Sequence, residues 1–262
     1  MTKATSNPSV KNTETAAHAQ GTAVIVIEHL YKRFGLNEVL KDFSLTVYKE
    51  ENVVILGKSG AGKSVLIKCV IGLLKPDKGS IVVLGDNVTE LSDDDLDRVR
   101  SKVGFLFQAN ALYDSMTVRE NLEFPLRRHW INLPQQEVNA MVKEALENVD
   151  LVETANMMPS ELSGGMLKRI ALARTLILKP EVILYDEPTT GLDPVTAREI
   201  DHLILKLQKK YHTSSIIISH DMNCVKNLAD RVILLLEGKC YADGTYDELA
   251  HAADQKIKQF FE

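Results

Sequence analysis

The sequence predicts an α/β fold with a mostly parallel core sheet, and three observations predict it. Short apolar runs of strand character alternate with helical stretches through the second half of the chain; such alternation builds a parallel sheet through crossover helices. A glycine-rich stretch, Gly57-Lys58-Ser59-Gly60-Ala61-Gly62-Lys63-Ser64, stands between the apolar run Val53–Leu56 and a helical run beginning at Val65. Gln108, Asp186 and His220 fall at the carboxyl ends of other predicted strands, which is where open parallel sheets bind ligands.

Taken in order, residues 1–22 are rich in Thr, Ser, Asn and Ala and lack the apolar segment of a signal peptide, so they predict a disordered tail. Ala23–Glu28 reads as a strand. Tyr31–Gly35 and Ser44–Val47 follow, and this run of short strands predicts an antiparallel β layer leaning on the core. Lys75-Pro76-Asp77-Lys78-Gly79 is a turn, Ser80–Leu84 a strand and Gly85-Asp86 another turn. Ser92 caps a helix whose first turn carries Asp93, Asp94 and Asp95; the positive end of the helix dipole accounts for that acidic triplet without a metal. Val103–Phe107 is a core strand ending at Gln108, and Thr117-Val118-Arg119-Glu120 is a capping box opening a helix to about Leu126. From about Gln135 to Asp150, Val138, Met141, Val142, Ala145, Leu146 and Val149 recur at helical spacing. Residues of about 109–178 therefore predict a helical subdomain inserted into the α/β core.

Gly165–Leu178 is helical and stops before Pro180, because the residue preceding a proline is pushed out of helical conformation. Glu181–Glu187 is a buried strand, and Pro194 opens a helix to about Tyr211. A strand Ser214–Ser219, a helix Asp221–Ala229 and a strand Arg231–Leu236 complete a domain of 23–245, with a helical tail at 246–262.

Composition narrows the function classes. The 262 residues carry 31 Lys+Arg against 36 Asp+Glu, a net charge of −5, which gives no basis for a nucleic-acid partner. Cys69, Cys224 and Cys240 show no metal-ligand spacing and read as small buried hydrophobes in a reducing compartment. No apolar run approaches the roughly 18–20 residues of a membrane span. The expectation is a cytoplasmic protein whose membrane role, if it has one, comes through a partner.

The glycine stretch fits the spacing G-x-x-x-x-G-K-[ST] between a strand and a helix. Glycines let successive N–H groups point inward at an anion, and the helix start adds its dipole to the same spot. Lys63 would then reach the β- and γ-phosphates of a nucleotide and the Ser64 hydroxyl would hold Mg²⁺. Asp186, past an apolar strand, would support that ion, and Glu187 would orient and polarise the attacking water. Gln108 is placed to bridge metal or water to the helical lobe, His220 to hydrogen-bond the γ-phosphate, and Phe34 to stack on a base. Ser163-Gly164-Gly165 opens another helix and makes a second anion site. It cannot readily reach the same nucleotide within one chain, so a second subunit is expected to present it.

With these motifs in order, the chain resembles an ABC-type ATPase subunit from about residue 24 to 240. The resemblance identifies Gly57–Ser64 as the Walker A loop, Phe34 as the stacking aromatic and Gln108 as the Q-loop residue. It identifies Leu162-Ser163-Gly164-Gly165-Met166 as the signature, Val182–Asp186 with Glu187 as Walker B, Gly191-Leu192-Asp193 as the D-loop and His220 as the switch histidine. The signature departs from the common ending in Gln at Met166. The resemblance implies ATP and Mg²⁺ as ligands, and a head-to-tail dimer in which Ser163, Gly164, Gly165 and Asp193 of one chain complete the ATP site of the other. It also implies a permease partner, with Leu112, Tyr113 and Met116 as apolar contacts for its coupling helix. A narrower resemblance, in Leu106–Tyr113, Met158–Met166 and the ending Asp254–Phe261, is to the ATPases of Mla/Mce-type phospholipid transport systems, with lipid-binding and regulatory subunits in the complex. It places the chain on the cytoplasmic face of the inner membrane. Ile257, Phe260 and Phe261, at i, i+3 and i+4, are expected to dock on the partner ATPase or on the chain's own core. The alternatives are the ATPase of another ABC importer or exporter, or a soluble ABC ATPase acting on nucleic acid or ribosomes.

Overall fold

The computed structural model describes residues 21–128 and 133–261. The expected disordered tail therefore lies, except for residues 21 and 22, outside the described residues. The chain opens with β1 (Ala23–Phe34), β2 (Asn37–Tyr48), β3 (Asn52–Leu56), α1 (Lys63–Val70), β4 (Lys78–Val83), β5 (Asp86–Asn87), α2 (Asp93–Arg100) and β6 (Val103–Leu106). Helices follow: α3 (Val118–Arg128), α4 (Gln135–Asn148) and α5 (Gly164–Leu176). The chain then runs through β7 (Val182–Asp186), α6 (Pro194–Tyr211), β8 (Ser214–Ile218), α7 (Met222–Leu228), β9 (Arg231–Leu236), β10 (Lys239–Gly244), α8 (Tyr246–Ala250) and α9 (Gln255–Phe261).

Two sheets result. The core sheet has the order β10-β9-β3-β8-β7-β6, parallel throughout except for the β9–β10 hairpin. An antiparallel sheet, β2-β1-β4-β5, lies beside it. Alternation along each core strand divides its side chains between two apolar layers. Val53 and Ile55 of β3 join Ile25, Ile27, Phe43 and Leu66 under the antiparallel sheet. Val54 and Leu56 join Leu122, Ile170, Ile204 and Val225 under the helices. Each fully buried aliphatic side chain contributes about 1.5–3 kcal/mol, so the central strands are held from both faces. The functional consequence is positional: β3, β8, β7 and β6 are consecutive, so the loops leaving their carboxyl ends are neighbours.

Strands β1 and β2 are twelve residues each, longer than the short runs expected. Each strand carries a left-handed residue that interrupts its pattern, His29 (φ 48°) and Asp42 (φ 59°), with His29 Nδ1 lying 2.7 Å from Asp42 Oδ1. The β1–β2 register shifts between Ile27 and Leu30. Such bulges break the two-residue alternation that marks a strand in sequence. Two other boundaries move. β6 ends at Leu106, leaving Phe107 exposed and stacked on Phe105 at 4.0 Å between ring centroids. α3 runs to Arg128, through Pro125. The hairpin strand β10 carries alternating exposed and half-buried residues. The caps stand where expected: Ser92 Oγ accepts from Asp95 N at 3.3 Å, and Thr117 Oγ1 accepts from Glu120 N at 3.2 Å while Glu120 Oε2 accepts from Thr117 N at 2.8 Å.

Candidate functional site

A cleft of about 820 Å³ opens at the carboxyl ends of the central strands, lined by Phe34, Gly57, Lys58, Ser59, Gly60, Gly62, Lys63, Ser64, Gln108, Glu187 and His220. Its floor is the glycine loop between β3 and α1. A Cβ on Gly57 would meet the Leu235 carbonyl oxygen at 2.7 Å, so the loop packs directly on β9. Gly62 caps α1 at φ 104°, and a Cβ there would meet Val39 Cγ1 at 2.8 Å. Ala61 turns away from the cleft and packs on the core. Lys63 is buried, with Nζ donating to Gly57 O at 2.7 Å and Lys58 O at 3.2 Å. Burial holds its pKa below the usual lysine range, against the pull of Glu187 and Asp186.

The acidic side is built by β7. Ser64 Oγ donates to Asp186 Oδ1 at 3.4 Å across the foot of the cleft. Asp186 is buried, and desolvation raises its carboxyl pKa. Glu187, the next residue, sits in left-handed backbone at φ 54°, pinned by its N–H donating to Ile218 O at 3.0 Å. Its Oε2 lies 2.7 Å from His220 Nδ1 and accepts from Thr190 Oγ1 at 3.1 Å. The His220 ring is exposed on the cleft side while the Glu187 carboxylate is mostly buried. One wall thus offers a glycine loop and a buried lysine, the other a carboxylate held in one orientation by a hydroxyl and an imidazole.

Ser163, Gly164, Gly165 and Asp193 are not brought to this cleft. They line a separate depression of about 410 Å³ with Met166, Gly191, Leu192 and Thr196. Ser163 caps α5, its Oγ accepting from Met166 N at 3.3 Å. The cap uses the backbone of Met166, so it is indifferent to the side chain there, which packs on the helical-side core. Asp193 caps α6, accepting from Val195 N at 3.0 Å, Thr196 N at 3.1 Å and Thr196 Oγ1 at 2.5 Å. These bonds, the Thr196 hydroxyl first, hold its carboxyl below the usual range. A Cβ on Gly165 would meet Thr196 Cγ2 at 2.7 Å, so the helix start and the Asp193 turn touch.

A third depression, an apolar groove of about 420 Å³, lies between α1, α2, α3 and the segment after Gln108. Leu73, Phe105, Phe107, Tyr113 and Phe124 line it, with Tyr113 and Phe124 at 4.7 Å between centroids. Tyr113 was expected on such a surface. Leu112 instead packs on the core, and Met116 does not line the groove; Phe107 and Phe124 take their places.

Several lining residues escape sequence reasoning. Val39, Met222, Gln259 and Phe260 border the first cleft, from segments far apart in the chain. The tail helix α9 packs on the chain's own core through Ile257, Phe260 and Phe261, the last edge-on to Tyr246 at 5.4 Å. Lys168 and Arg174 of α5 hold the segment after Gln108. Lys168 and Arg174, two of the three cations in a helix otherwise largely apolar, were the available signal.

A family model described as "ABC transporter" matches residues 40–190. The chain belongs to this family. It is an ABC ATPase, and it hydrolyses ATP as its family does. It is 37% identical over 237 residues to the intermembrane phospholipid transport system ATP-binding protein MlaF of Haemophilus influenzae, covering 90% of this chain and 89% of that one. It is 42% identical over 212 residues to the methionine import ATP-binding protein MetN 1 of Bacillus cereus, covering 81% of this chain and 61% of the relative. The fold superposes on a dimeric, post-hydrolysis structure of the ATP-binding cassette MJ0796 bound to ADP and Pi, with a TM-score of 0.77 and 31% identity over 84% of this chain and 98% of that one. No helix among the described residues is long and apolar enough to cross a membrane.

Proposed function

We propose that the chain is the energy-coupling ATPase of a phospholipid transporter of the Mla/Mce type. The similarity to MlaF, which runs through nearly the whole of both chains, carries the substrate class. The convergence of four neighbouring strand ends on one cleft carries the chemistry. We take residues 23–245 as the ATPase domain, about 109–178 as its inserted helical lobe, 1–22 as a tail and 246–262 as a helical appendage.

In this reading Gly57–Ser64 cradles the triphosphate through its backbone N–H groups, and Phe34 stacks on the base. Lys63 exchanges its two loop carbonyls for phosphate oxygens; its ammonium is already in place, so little reorganisation is needed. The Ser64 hydroxyl and Asp186 carboxylate are hard oxygen donors brought together at the foot of the cleft. They fit Mg²⁺, which takes one or two protein oxygens besides phosphates and water, and Gln108 adds an amide on the same rim. When bound, the ion neutralises charge on the phosphate oxygens. Glu187 orients the attacking water and draws its proton, and His220 steadies that carboxylate while facing the γ-phosphate.

Ser163, Gly164, Gly165 and Asp193 stand in another depression, so in this reading they serve the nucleotide of a second copy. A head-to-tail homodimer closing on two ATP molecules follows. The apolar groove with Tyr113, Phe107 and Phe124 then receives a helix of the integral permease, and the chain works peripherally on the cytoplasmic face of the inner membrane. Lipid-binding and regulatory subunits complete the complex. Nucleic acid is no partner of a chain of net charge −5 in this assignment. The test is copurification of the intact complex with identification of bound lipid. Recovered phospholipid, and ATP turnover raised by phospholipid, are the expected result; a complex that holds no lipid and responds to an amino acid would favour the second reading, an importer of the kind that the MetN 1 similarity points to.

A further inference from the structure

Helix α5 grips one loop with two cations. Lys168, only 2% exposed, donates from Nζ to Gln108 O at 3.1 Å. Arg174, six residues on, donates from Nη1 to Ala111 O at 2.9 Å and from Nη2 to Asn110 O at 3.1 Å. Three carbonyls of the four residues 108–111 are therefore held from the helix that Ser163 caps. A buried ammonium is expensive, and an apolar side chain of similar volume usually serves stability as well or better. Packing alone does not explain a lysine here.

We propose that Lys168 is a positioning residue that ties Gln108 to the signature helix, so that the Ser163–Gly165 turn of one depression and the Gln108 amide of the ATP cleft move as a unit. The inference deepens the ATPase reading above and rests on it. Lys168 lies about one turn into α5, and a hydrogen-bonded helical turn transmits displacement stiffly. When Ser163 and Gly165 seat on the phosphate of a second copy, the shift of α5 carries the 108–111 loop with it. The signal arrives at the amide facing this chain's own nucleotide. Lys168 acts only through Gln108 and touches no reacting atom. Arg174 also lines the apolar groove, which puts the same grip within reach of whatever docks there.

The experiment compares Lys168→Met and Lys168→Arg with the unaltered chain in the copurified transporter complex. Turnover, ATP affinity and thermal stability are measured for each. Lys168→Met is expected to keep its melting temperature, because it removes a buried charge, and to keep its ATP affinity within about threefold. Its kcat should fall roughly 10- to 100-fold, the scale of a small misplacement at a reacting centre. Lys168→Arg, which retains a donor, should recover most of that loss. Lys168→Met turning over like the unaltered chain would overturn the proposal, as would a loss of ATP affinity and melting temperature together with no rescue by arginine. Failure of the underlying reading is visible separately, since then the unaltered complex itself would not bind ATP in a Lys63-dependent way.

Discussion

Two helices begin with glycine next to an anion-sized hollow, and they are built differently. α1 starts at Lys63 behind a left-handed Gly62 that offers no side-chain cap. Its first N–H groups are left to a ligand, with a buried lysine, two carboxylates and a histidine around them. α5 starts behind Ser163, whose hydroxyl already takes the Met166 N–H. The titratable groups lining that hollow are already engaged: the Asp193 carboxylate caps α6, and Arg169 Nη2 donates to Glu199 Oε2 at 2.9 Å. The first hollow carries a lysine, two carboxylates and a histidine at an uncapped helix start; the second carries a serine-capped helix start and an ion pair. The two hollows share no residue, which is the arrangement expected of a site assembled from two copies.

Substitutions that separate binding from turnover sharpen this contrast. The largest effect is expected from Glu187→Gln, which should lower turnover by about 10²- to 10⁴-fold, the range for loss of a general base, while ATP still binds and the dimer accumulates on gel filtration. Undiminished turnover in that variant would remove Glu187 from the site. Lys63→Ala should abolish ATP binding by the isolated chain in equilibrium titration, because the cradle loses the cation that it holds ready. Gly165→Ala, whose new methyl meets Thr196 Cγ2, should leave nucleotide binding by a single chain intact and reduce turnover roughly tenfold or more. If it weakened ATP binding by the monomer instead, the two hollows would not be separate halves.

The smallest effect is on stability. Burial raises the Asp186 carboxyl pKa, so between the ordinary aspartate value of about 3.9 and its raised value the folded chain binds more protons than the unfolded one. The stability tied to this group is present below that window and is lost as pH rises through it. Nucleotide-free Asp186→Asn should therefore melt higher than the unaltered chain at neutral pH, by about 1–4 °C, and the difference should vanish in mildly acidic buffer. A melting temperature lowered by the change at neutral pH would mean that the carboxylate is compensated in the empty cleft.

How much of this was readable in the chain follows from what is local. The glycine loop, the strand ends and the caps at Ser92 and Thr117 are written in contiguous residues, and the apolar alternation places the strand ends in one row. α3 shows in its capping box and α4 in its apolar periodicity. What escaped is non-local or irregular. The bulges at His29 and Asp42 hide two long strands behind a broken pattern. The sharing of the ATP cleft by Gln259 and Phe260 depends on how a distant helix folds back. The turning of Leu112 into the core, with Phe107 and Phe124 facing the groove, depends on a loop whose Asn110 and Ala111 are left-handed. Lys168 was visible as a letter but its acceptor, a carbonyl sixty residues away, was not.

The left-handed backbone at Glu187 has a consequence for how this position tolerates change. A residue with a side chain costs roughly 1–2 kcal/mol in that conformation relative to glycine. The Glu187 N–H bond to Ile218 O, the Thr190 N–H bond to the Glu187 carbonyl at 3.3 Å and the side-chain bonds to Thr190 and His220 hold it there. Replacing the glutamate with glycine would silence the chemistry and relax the turn at once, whereas valine or isoleucine would silence it and deform the turn. Inactive variants at one position would thus differ in lifetime, with the wild-type glutamate between glycine and the β-branched residues on that scale.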